Sequence, residues 1–366
     1  MSQRVVALVA LLAFVALVMV ALVTGGNLGL ADSGSMRISF QIATGSTEGV
    51  YFPVGKAMAG LISHPLGVGR CDTATVCGPA GVILSARTSE GAADNLRSIN
   101  SGAVDSGFAD GDVIAAAVAG EGAFRRPLRH LRVIAALFSE EAHLVVAMKS
   151  NIRSVADLKG KRVLLGSQNS GALVRSRAIL DAYRVRAREI TSDQPAAQLL
   201  KNGRIDAYFA VAGVPLDSVK DLIARHAARL VPIDGEGRDR LVQMVPQLSP
   251  ATITAGAYPG TSTVETVATR AYWVTRDSEA DPLIYGMTRA LFNPANRSLL
   301  AASHPSAREI GLDSAMANLP AALHPGAARF YREKGRLAGY ASPASTSARA
   351  ASNHSHIAGR AITRSM

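Results

Sequence analysis

Cysteine, aromatic residues and charge are all scarce in this sequence. Among its 366 residues there are two cysteines and one tryptophan, and charged residues make up only 18%. So few charges exclude a coiled coil and a disordered acidic chain, and so few cysteines exclude a small disulfide-held scaffold. Only one apolar run is long enough to span a bilayer, which excludes a polytopic membrane protein. The length predicts about two domains.

Acidic residues are outnumbered by basic ones, 28 to 39, which gives a formal net charge of +11. Such an excess is compatible with nucleic acid, an anionic membrane surface or an anionic solute as partner. Arg4 supplies one of these charges and the segment 336–366 supplies four, so +6 remains on residues 5–335. Because the basic residues are spread out and aromatics are few, we expect no nucleic-acid partner.

The one long apolar run, residues 5–23, follows Arg4 directly and carries no charge. A short basic head before an apolar stretch is typical of a secretory signal peptide. The run is longer than usual for a signal, although small residues permit cleavage after Ala31. A cleaved signal and a retained membrane anchor over residues 1–31 therefore both stay open. Either one predicts a periplasmic location for the rest of the chain.

The two cysteines, Cys71 and Cys77, lie close together in the sequence. In an oxidising compartment this spacing favours a disulfide that closes a small loop. The alternative, a zinc site, needs two more ligands, and no histidine pair lies nearby. His354 and His356 do have metal-like spacing, but they fall in 336–366, a segment without acidic residues or apolar periodicity. We expect that segment to be a disordered tail and predict no metal site.

From residue 37 onward, short apolar runs alternate with segments of helical periodicity. This alternation predicts an α/β fold with mainly parallel sheets. Ser154 and Asp157 have the spacing of a capping box, and 249–263 is predicted to be rich in loops. The predicted strands are 37–43, 82–86, 105–109, 132–138, 142–148, 161–165, 205–211, 229–233 and 266–274. The predicted helices include 53–63, 113–119, 172–183, 195–201, 214–227 and 282–292.

Glycines and hydroxyl residues follow several predicted strands, immediately before the next helix. In open parallel sheets, ligands bind at the carboxyl ends of strands, where free N–H groups and helix dipoles favour an anion. The five loops 43–53, 88–91, 110–113, 166–171 and 212–215 are divided between two α/β series. Turning the chain and capping a helix explain any one of them equally well. Together they predict a cleft between two lobes.

Motifs of the common enzyme classes are missing from the sequence. There is no G-x-S-x-G elbow, no G-x-G-x-x-G helix opening and no H-E-x-x-H pair. Residues 49–57 resemble a P-loop, but Pro53 interrupts it and Ala57 stands where serine or threonine is needed. Asp110 and Asp112 form an acid pair in the sequence, which a helix start also explains. We predict no catalytic residue.

Nine segments follow one another in the order and spacing of a known family. They resemble the TAXI family of extracytoplasmic solute receptors, which serve tripartite, ion-gradient-driven TRAP transporters. The resemblance covers residues 37–335. The segments are ATGSTEGVYFP (43–53), TSEGAADNL (88–96), SGAVDSGFADGDV (101–113), KSNIRSVADLKGKRVLLG (149–166), SGALVRSRAILDAY (170–183), LKNGRIDAYFAVAGVP (200–215), VPIDGE (231–236), SPATITAGAYPG (249–260) and LHPGAARFYREKG (323–335).

The resemblance implies a two-lobed, type II-like periplasmic-binding-protein fold that closes on a solute. We expect residues 37–148 plus 264–335 to form lobe I and residues 149–263 to form lobe II. A small carboxylate-bearing solute, either a glutamate-like amino acid or a dicarboxylate, is implied, with membrane permease subunits as partners and no cofactor. The matching cleft positions are Thr44, Gly45, Ser46, Tyr51, Ser89, Glu90, Asp110, Ser170, Gly171, Ala212 and Gly213.

Two departures from the family pattern concern the solute. Ser46, Thr47 and Glu48 stand where the family usually has a glycine-rich run, and Asp110 replaces a more common glutamine or serine. A carboxylate at Glu48 or Asp110 favours an ammonium group of the solute over a second carboxylate. Two other functions stay open: a sensor-associated ligand-binding protein, and a small-metabolite enzyme on the same fold, against which the export signal and the missing catalytic motifs argue.

Overall fold

A computed structural model describes residues 37–65, 69–71, 76–168 and 170–337. Within these ranges, residues 39–337 belong to one compact unit. The predicted signal or anchor and all but the first two residues of the predicted tail, 336–366, lie outside the described residues. Within the described ranges, no helix has both the length and the apolar character needed to cross a bilayer.

Ten strands and ten α-helices make up the described part of the chain. The strands are β1 (Ile38–Ala43), β2 (Val82–Arg87), β3 (Ser106–Asp110), β4 (Leu131–Ala147), β5 (Arg162–Gly166), β6 (Arg188–Thr191), β7 (Ala207–Ala212), β8 (Ala228–Val231), β9 (Ser249–Ile253) and β10 (Val264–Arg276). The helices are α1 (Tyr51–Ile62), α2 (Ala92–Ser101), α3 (Gly111–Ala119), α4 (Gly171–Ala182), α5 (Ala196–Lys201), α6 (Asp217–Ala224), α7 (Gly235–Met244), α8 (Asp281–Leu291), α9 (Arg297–Ser303) and α10 (Pro325–Glu333).

The strands form one mixed sheet, in the order β2-β1-β3-β10-β4-β7-β5-β6, with β8 paired to β4 and β9 paired to β10. The α/β class is confirmed. The prediction of mainly parallel sheets is wrong, because β4 and β10 run antiparallel to each neighbour whose register is known. Parallel pairing is found between β1 and β3, between β5 and β6 and between β5 and β7.

Strand β4 replaces two predicted strands, 132–138 and 142–148. The polar residues Ser139, Glu140 and Glu141 interrupt the apolar pattern, but the backbone continues to pair with β10 through all three. Backbone hydrogen bonds do not depend on side-chain polarity, so the ladder persists there. β9 was predicted as loop and β6 was not predicted, because both are short and largely exposed edge strands. Helix α7 was missed because it begins Gly-Glu-Gly.

The sheet divides into two halves along its long strands. Half I comprises β1–β3, the first part of β4, the last part of β10, α1–α3 and α8–α10. Half II comprises β5–β9, the remaining parts of β4 and β10, and α4–α7. Residues 142–147 of β4 pair with β7 and β8, whereas 131–136 pair with β10. Half II has its own apolar core, which includes Leu144, Val163 and Phe209.

The lobe boundaries at 148/149 and 263/264 stay predictions. Neither boundary falls within a strand of the sheet. The capping box is confirmed: Ser154 N donates to Asp157 Oδ2 at 2.9 Å, and the Ser154 side chain accepts from the backbone in return. A disulfide joins Cys71 and Cys77, as expected from their spacing.

Candidate functional site

A cavity of about 230 Å³ lies between halves I and II, where β1, β3, β5 and β7 end. Residues from both halves line it. Eight of the predicted cleft residues are among them: Gly45, Ser46, Tyr51, Glu90, Asp110, Ser170, Gly171 and Ala212. The other lining residues are Gly49, Val50, Gly91, Ala92, Glu140, Ser167, Ala172 and Val211. The ends of five separate loops therefore meet at one place.

Three predicted residues do not line this cavity. Thr44 is fully buried, and its Oγ1 donates to the carbonyl of Arg87 at 2.7 Å, so it joins β1 to β2. Ser89 lines a separate pocket of about 210 Å³, and its Oγ accepts from the N–H of Gly91. Gly213 lies so close to Ser306 that a Cβ there would overlap the serine side chain.

A buried charge cluster forms one wall of the cavity and continues behind it. Asp110 and Glu140, only 5% and 3% exposed, face the cavity. The Tyr51 hydroxyl donates to Glu140 Oε2 at 2.7 Å. Behind them, Arg175 Nη2 lies 2.5 Å from Asp112 Oδ1 and 3.4 Å from Asp110 Oδ1. Arg175 belongs to half II and the two aspartates to half I, so the ion pair joins the halves.

The sequence analysis missed Arg175 and Glu140. Arg175 lies on the face of α4 that also carries Gly171 and Ile179, all of them buried. An arginine on an otherwise apolar helix face was the signal, since a buried arginine needs an anionic partner. Glu140 lies in the middle of β4, between the two predicted strands 132–138 and 142–148.

Burial governs the ionisation of this cluster. Desolvation raises the pKa of Glu140 well above its usual range, and the nearby charge of Asp110 and a hydrogen bond to that residue raise it further. Desolvation also raises the pKa of Asp112, against the opposing effect of Arg175. The pKa of Arg175 is raised because its carboxylate neighbours, Asp112 foremost, outweigh its own desolvation. One guanidinium thus pairs with two aspartates, and the raised pKa favours the neutral form of Glu140.

Three helices begin at the cavity. Tyr51 opens α1, Ala92 opens α2 and Gly171 opens α4, and all three residues line the cavity. Ser170 caps α4, its Oγ accepting from the N–H of Leu173 at 3.2 Å. The first N–H groups of a helix have no partner within the helix, and the helix dipole makes this end partly positive. These N-termini are therefore suited to an anionic group.

A larger groove of about 730 Å³ adjoins the cavity and shares Gly49 and Val50 with it. Glu48, one of the two departures from the family pattern, lies in this groove and not in the smaller cavity. Half II contributes the charged residues Lys201, Asp217, Asp221 and Arg225. Among the residues that the structure describes, no group of His, Cys, Asp or Glu is arranged to hold a metal ion.

His143 is completely buried in β4. Its Nε2 lies 2.7 Å from the hydroxyl of Tyr258, which in turn accepts from the N–H of Leu216 at 2.9 Å. The carbonyl of Glu141 lies 2.9 Å from His143 Nδ1. Desolvation lowers the pKa of His143 to about 4, so the ring is neutral. It supports the loop after β7 and does not line the cavity.

Known proteins resemble this chain in sequence and in structure. The sequence profile of the NMT1-like family matches residues 42–335. The structure is similar to MatC from Rhodopseudomonas palustris with bound malate (15% identity, 82% of this chain and 96% of that chain, TM-score 0.46). It is also similar to a TctC solute-binding protein from Polaromonas (15%, 75% and 88%, 0.42) and to the alkanesulfonate-binding protein SsuA from Xanthomonas axonopodis pv. citri (16%, 72% and 78%, 0.41).

Proposed function

We propose, from the premise that this chain belongs to the NMT1-like family, that it is an extracytoplasmic solute receptor. Its transporter would be of the tripartite, ion-gradient-driven TRAP type, and the solute would be small and carry a carboxylate. One observation carries the proposal. The loops expected to bind a solute, distant in the sequence and divided between two halves, meet around one cavity of about 230 Å³.

The helix N-termini at the cavity are the evidence that the solute carries a carboxylate. The N-termini of α1, α2 and α4 all reach the cavity, and Ser46, Ser167 and Ser170 add hydroxyl groups to its wall. A carboxylate there accepts hydrogen bonds from backbone N–H groups and hydroxyls without needing a cationic side chain. Binding by residues of both halves would then favour the arrangement in which the halves are in contact.

An enzyme is the weaker alternative at this site. Three serines line the cavity, but no histidine, lysine or cysteine is among its described lining residues, so neither a serine–histidine nor a cysteine–histidine pair is formed there. Binding without turnover is what this set of residues supports. A sensor-associated receptor would use the same binding chemistry and differ only in its membrane partner.

Thermal melting with a panel of solutes tests the proposal. The panel contains amino acids, dicarboxylates and 2-oxoacids, each far above its expected Kd. A solute at one hundred times its Kd stabilises the folded state by about 2.7 kcal/mol, which raises the melting temperature by several degrees. If no solute in the panel raises it, the proposal is contradicted.

A pair of tyrosine variants tests whether the solute binds in the cavity. Tyr51→Phe removes the hydroxyl that donates to Glu140 in the cavity wall. Tyr285→Phe is the matched control, because that hydroxyl also donates to a glutamate, Glu333, but on an exposed surface of α8 and α10. We expect the first variant to weaken binding of the active solute about tenfold, and the second to leave it unchanged. Equal effects would place the solute elsewhere.

A further inference from the structure

We propose that the solute carries an ammonium group that binds beside Asp110 and Glu140, and that its binding releases one proton from this pair of carboxyl groups to the solvent. This inference rests on the proposed receptor function. Of the two solute classes that the family resemblance leaves open, it selects the amino acid over the dicarboxylate. It also makes the affinity depend on pH in a stated direction.

The first support is the count of charges in the buried cluster. Asp110, Asp112 and Glu140 are all nearly inaccessible to solvent, and Arg175 is the one cation paired with them. An unpaired charge buried in protein is costly, so the excess must be removed by a proton or balanced by a second cation. When no solute supplies a cation, a proton bound to one of the carboxyl groups removes the excess negative charge.

The second support is the position of the excess negative charge within the cluster. Arg175 is closest to Asp112, at 2.5 Å, and Asp112 does not line the cavity. The two carboxyl groups that do face the cavity are Asp110, 3.4 Å from the guanidinium, and Glu140, whose hydrogen-bonded neighbour on α1 is Tyr51. The carboxyl groups whose negative charge Arg175 balances least are therefore the ones that a solute in the cavity contacts.

The third support is the composition of the cavity wall. Glu90, Asp110 and Glu140 are the charged residues among the described residues that line it, and lysine, arginine and histidine are lacking there. The wall is acidic although the whole chain has a net charge of +11. A solute with two carboxylates and no cation would meet three acidic residues and no basic one.

The two ends of an amino acid fit two different parts of the wall. Its carboxylate is suited to the N-terminus of α2 at Gly91 and Ala92, with the loop at Gly45 and Ser46, all of which line the cavity. Its ammonium group is suited to the carboxyl pair of β3 and β4. Neither a dicarboxylate nor a simple amine satisfies both parts.

The proton follows from the same geometry. The groups that act on Glu140 are Tyr51 from α1, Asp110 from β3 and Arg175 from α4, and Arg175 is itself paired with Asp112 from α3. Burial and Asp110 raise the pKa of Glu140, which favours its neutral form. An ammonium group beside it favours the ionised form and lowers that pKa. Affinity for an ammonium-bearing solute then rises with pH, because less work is needed to remove the proton.

Isothermal titration with matched pairs of probes tests the inference. Each pair is an amino acid and the acid that lacks only its amino group, for example L-glutamate with glutarate and L-alanine with propionate. Titrations at pH 6 and pH 8, in two buffers of different ionisation enthalpy, count the protons released. We expect the amino acid of at least one pair to bind at least tenfold more tightly than its partner, more tightly at pH 8, and with net proton release at pH 6.

The variant Glu140→Gln removes the charge while keeping the shape of a protonated glutamate. We expect it to weaken amino-acid binding at least tenfold and to abolish both the proton release and the pH dependence. Glu141→Gln is the control, because Glu141 is the next residue of β4 but does not line the cavity. It should bind within twofold of the unmodified protein.

Three results would overturn the inference. They are deaminated acids that bind as tightly as their amino acids, amino-acid binding without proton release at pH 6, and a Glu140→Gln variant that binds normally. Each of these leaves the receptor function standing. If no member of any pair binds and no other solute raises the melting temperature, the receptor function itself fails, and the inference fails with it.

Discussion

Replacing Gly171 with alanine tests whether halves I and II must meet at Asp110 for a solute to bind. Gly171 is the first residue of α4, and Asp110 approaches it from the opposite half. An added Cβ would overlap Asp110 Oδ2 and would lie 3.0 Å from its Cγ and 3.3 Å from Val113 Cγ2. Asp110 has little room to withdraw, because it is 5% exposed and lies 3.4 Å from Arg175.

The expected size of the effect follows from this crowding. Forcing one extra methyl group into a packed site costs roughly 1–3 kcal/mol. The cost arises only while the halves touch, whereas the better helix propensity of alanine, worth up to about 1 kcal/mol, acts on α4 in any arrangement. Because about 1.4 kcal/mol corresponds to a tenfold change, solute affinity should fall between about 5-fold and 150-fold. Where the halves also touch without solute, the same cost acts on the unliganded protein, and its melting temperature then falls as well.

The assay is titration of the active solute, combined with thermal melting of the unliganded protein. Gly60→Ala provides the matched control, since Gly60 is also helical, in α1, and an added Cβ there meets no atom within 4 Å. We expect the control to bind normally. If Gly171→Ala binds as tightly as the control, contact between the halves at Asp110 is not needed for binding and the reasoning is refuted.

Two further predictions concern stability. Arg175→Met leaves Asp110 and Asp112 buried without a cation and should lower the free energy of unfolding, measured in urea, by about 3–5 kcal/mol; a loss below 1 kcal/mol would contradict the ion pair. Because the pKa of His143 is lowered to about 4 in the fold, the unfolded chain takes up its proton first as pH falls below about 6.5. The protein should therefore lose up to about 2 kcal/mol between pH 7 and pH 5 from this residue, and His143→Gln should reduce that loss; an equal loss in both would refute the assignment.

The sequence predicted those parts of the cavity that depend on local pattern. Glycine and hydroxyl residues after a strand, as at Gly45 and Ser170, mark the ends of parallel strands, and such ends meet at one edge. The pairing of Arg175 with Asp112 was beyond this reasoning, because the two residues are 63 positions apart and nothing local selects the partner. Glu140 was missed for a related reason: its burial depends on β10, more than one hundred residues later.

The fold shows the same division between local and distant information. Apolar periodicity located most strands and helices to within a few residues. It failed at β4, where backbone pairing with β10 carries the strand through Glu140 and Glu141. It also failed at β9, whose polar sequence pairs with β10 only because that strand passes beside it. In each case the deciding interaction is with a distant strand.

The connection between the halves is a ribbon of two paired strands, and this limits how they can move. A ribbon of hydrogen-bonded strands resists free swinging, so any separation of the halves has to bend or twist β4 and β10 together. The register between these strands shifts between Arg270 and Tyr272, next to the pairing of Thr269 with Glu140. A ladder bends most easily at such an irregularity. Glu140 therefore lies beside an irregularity of the ladder that joins the two halves.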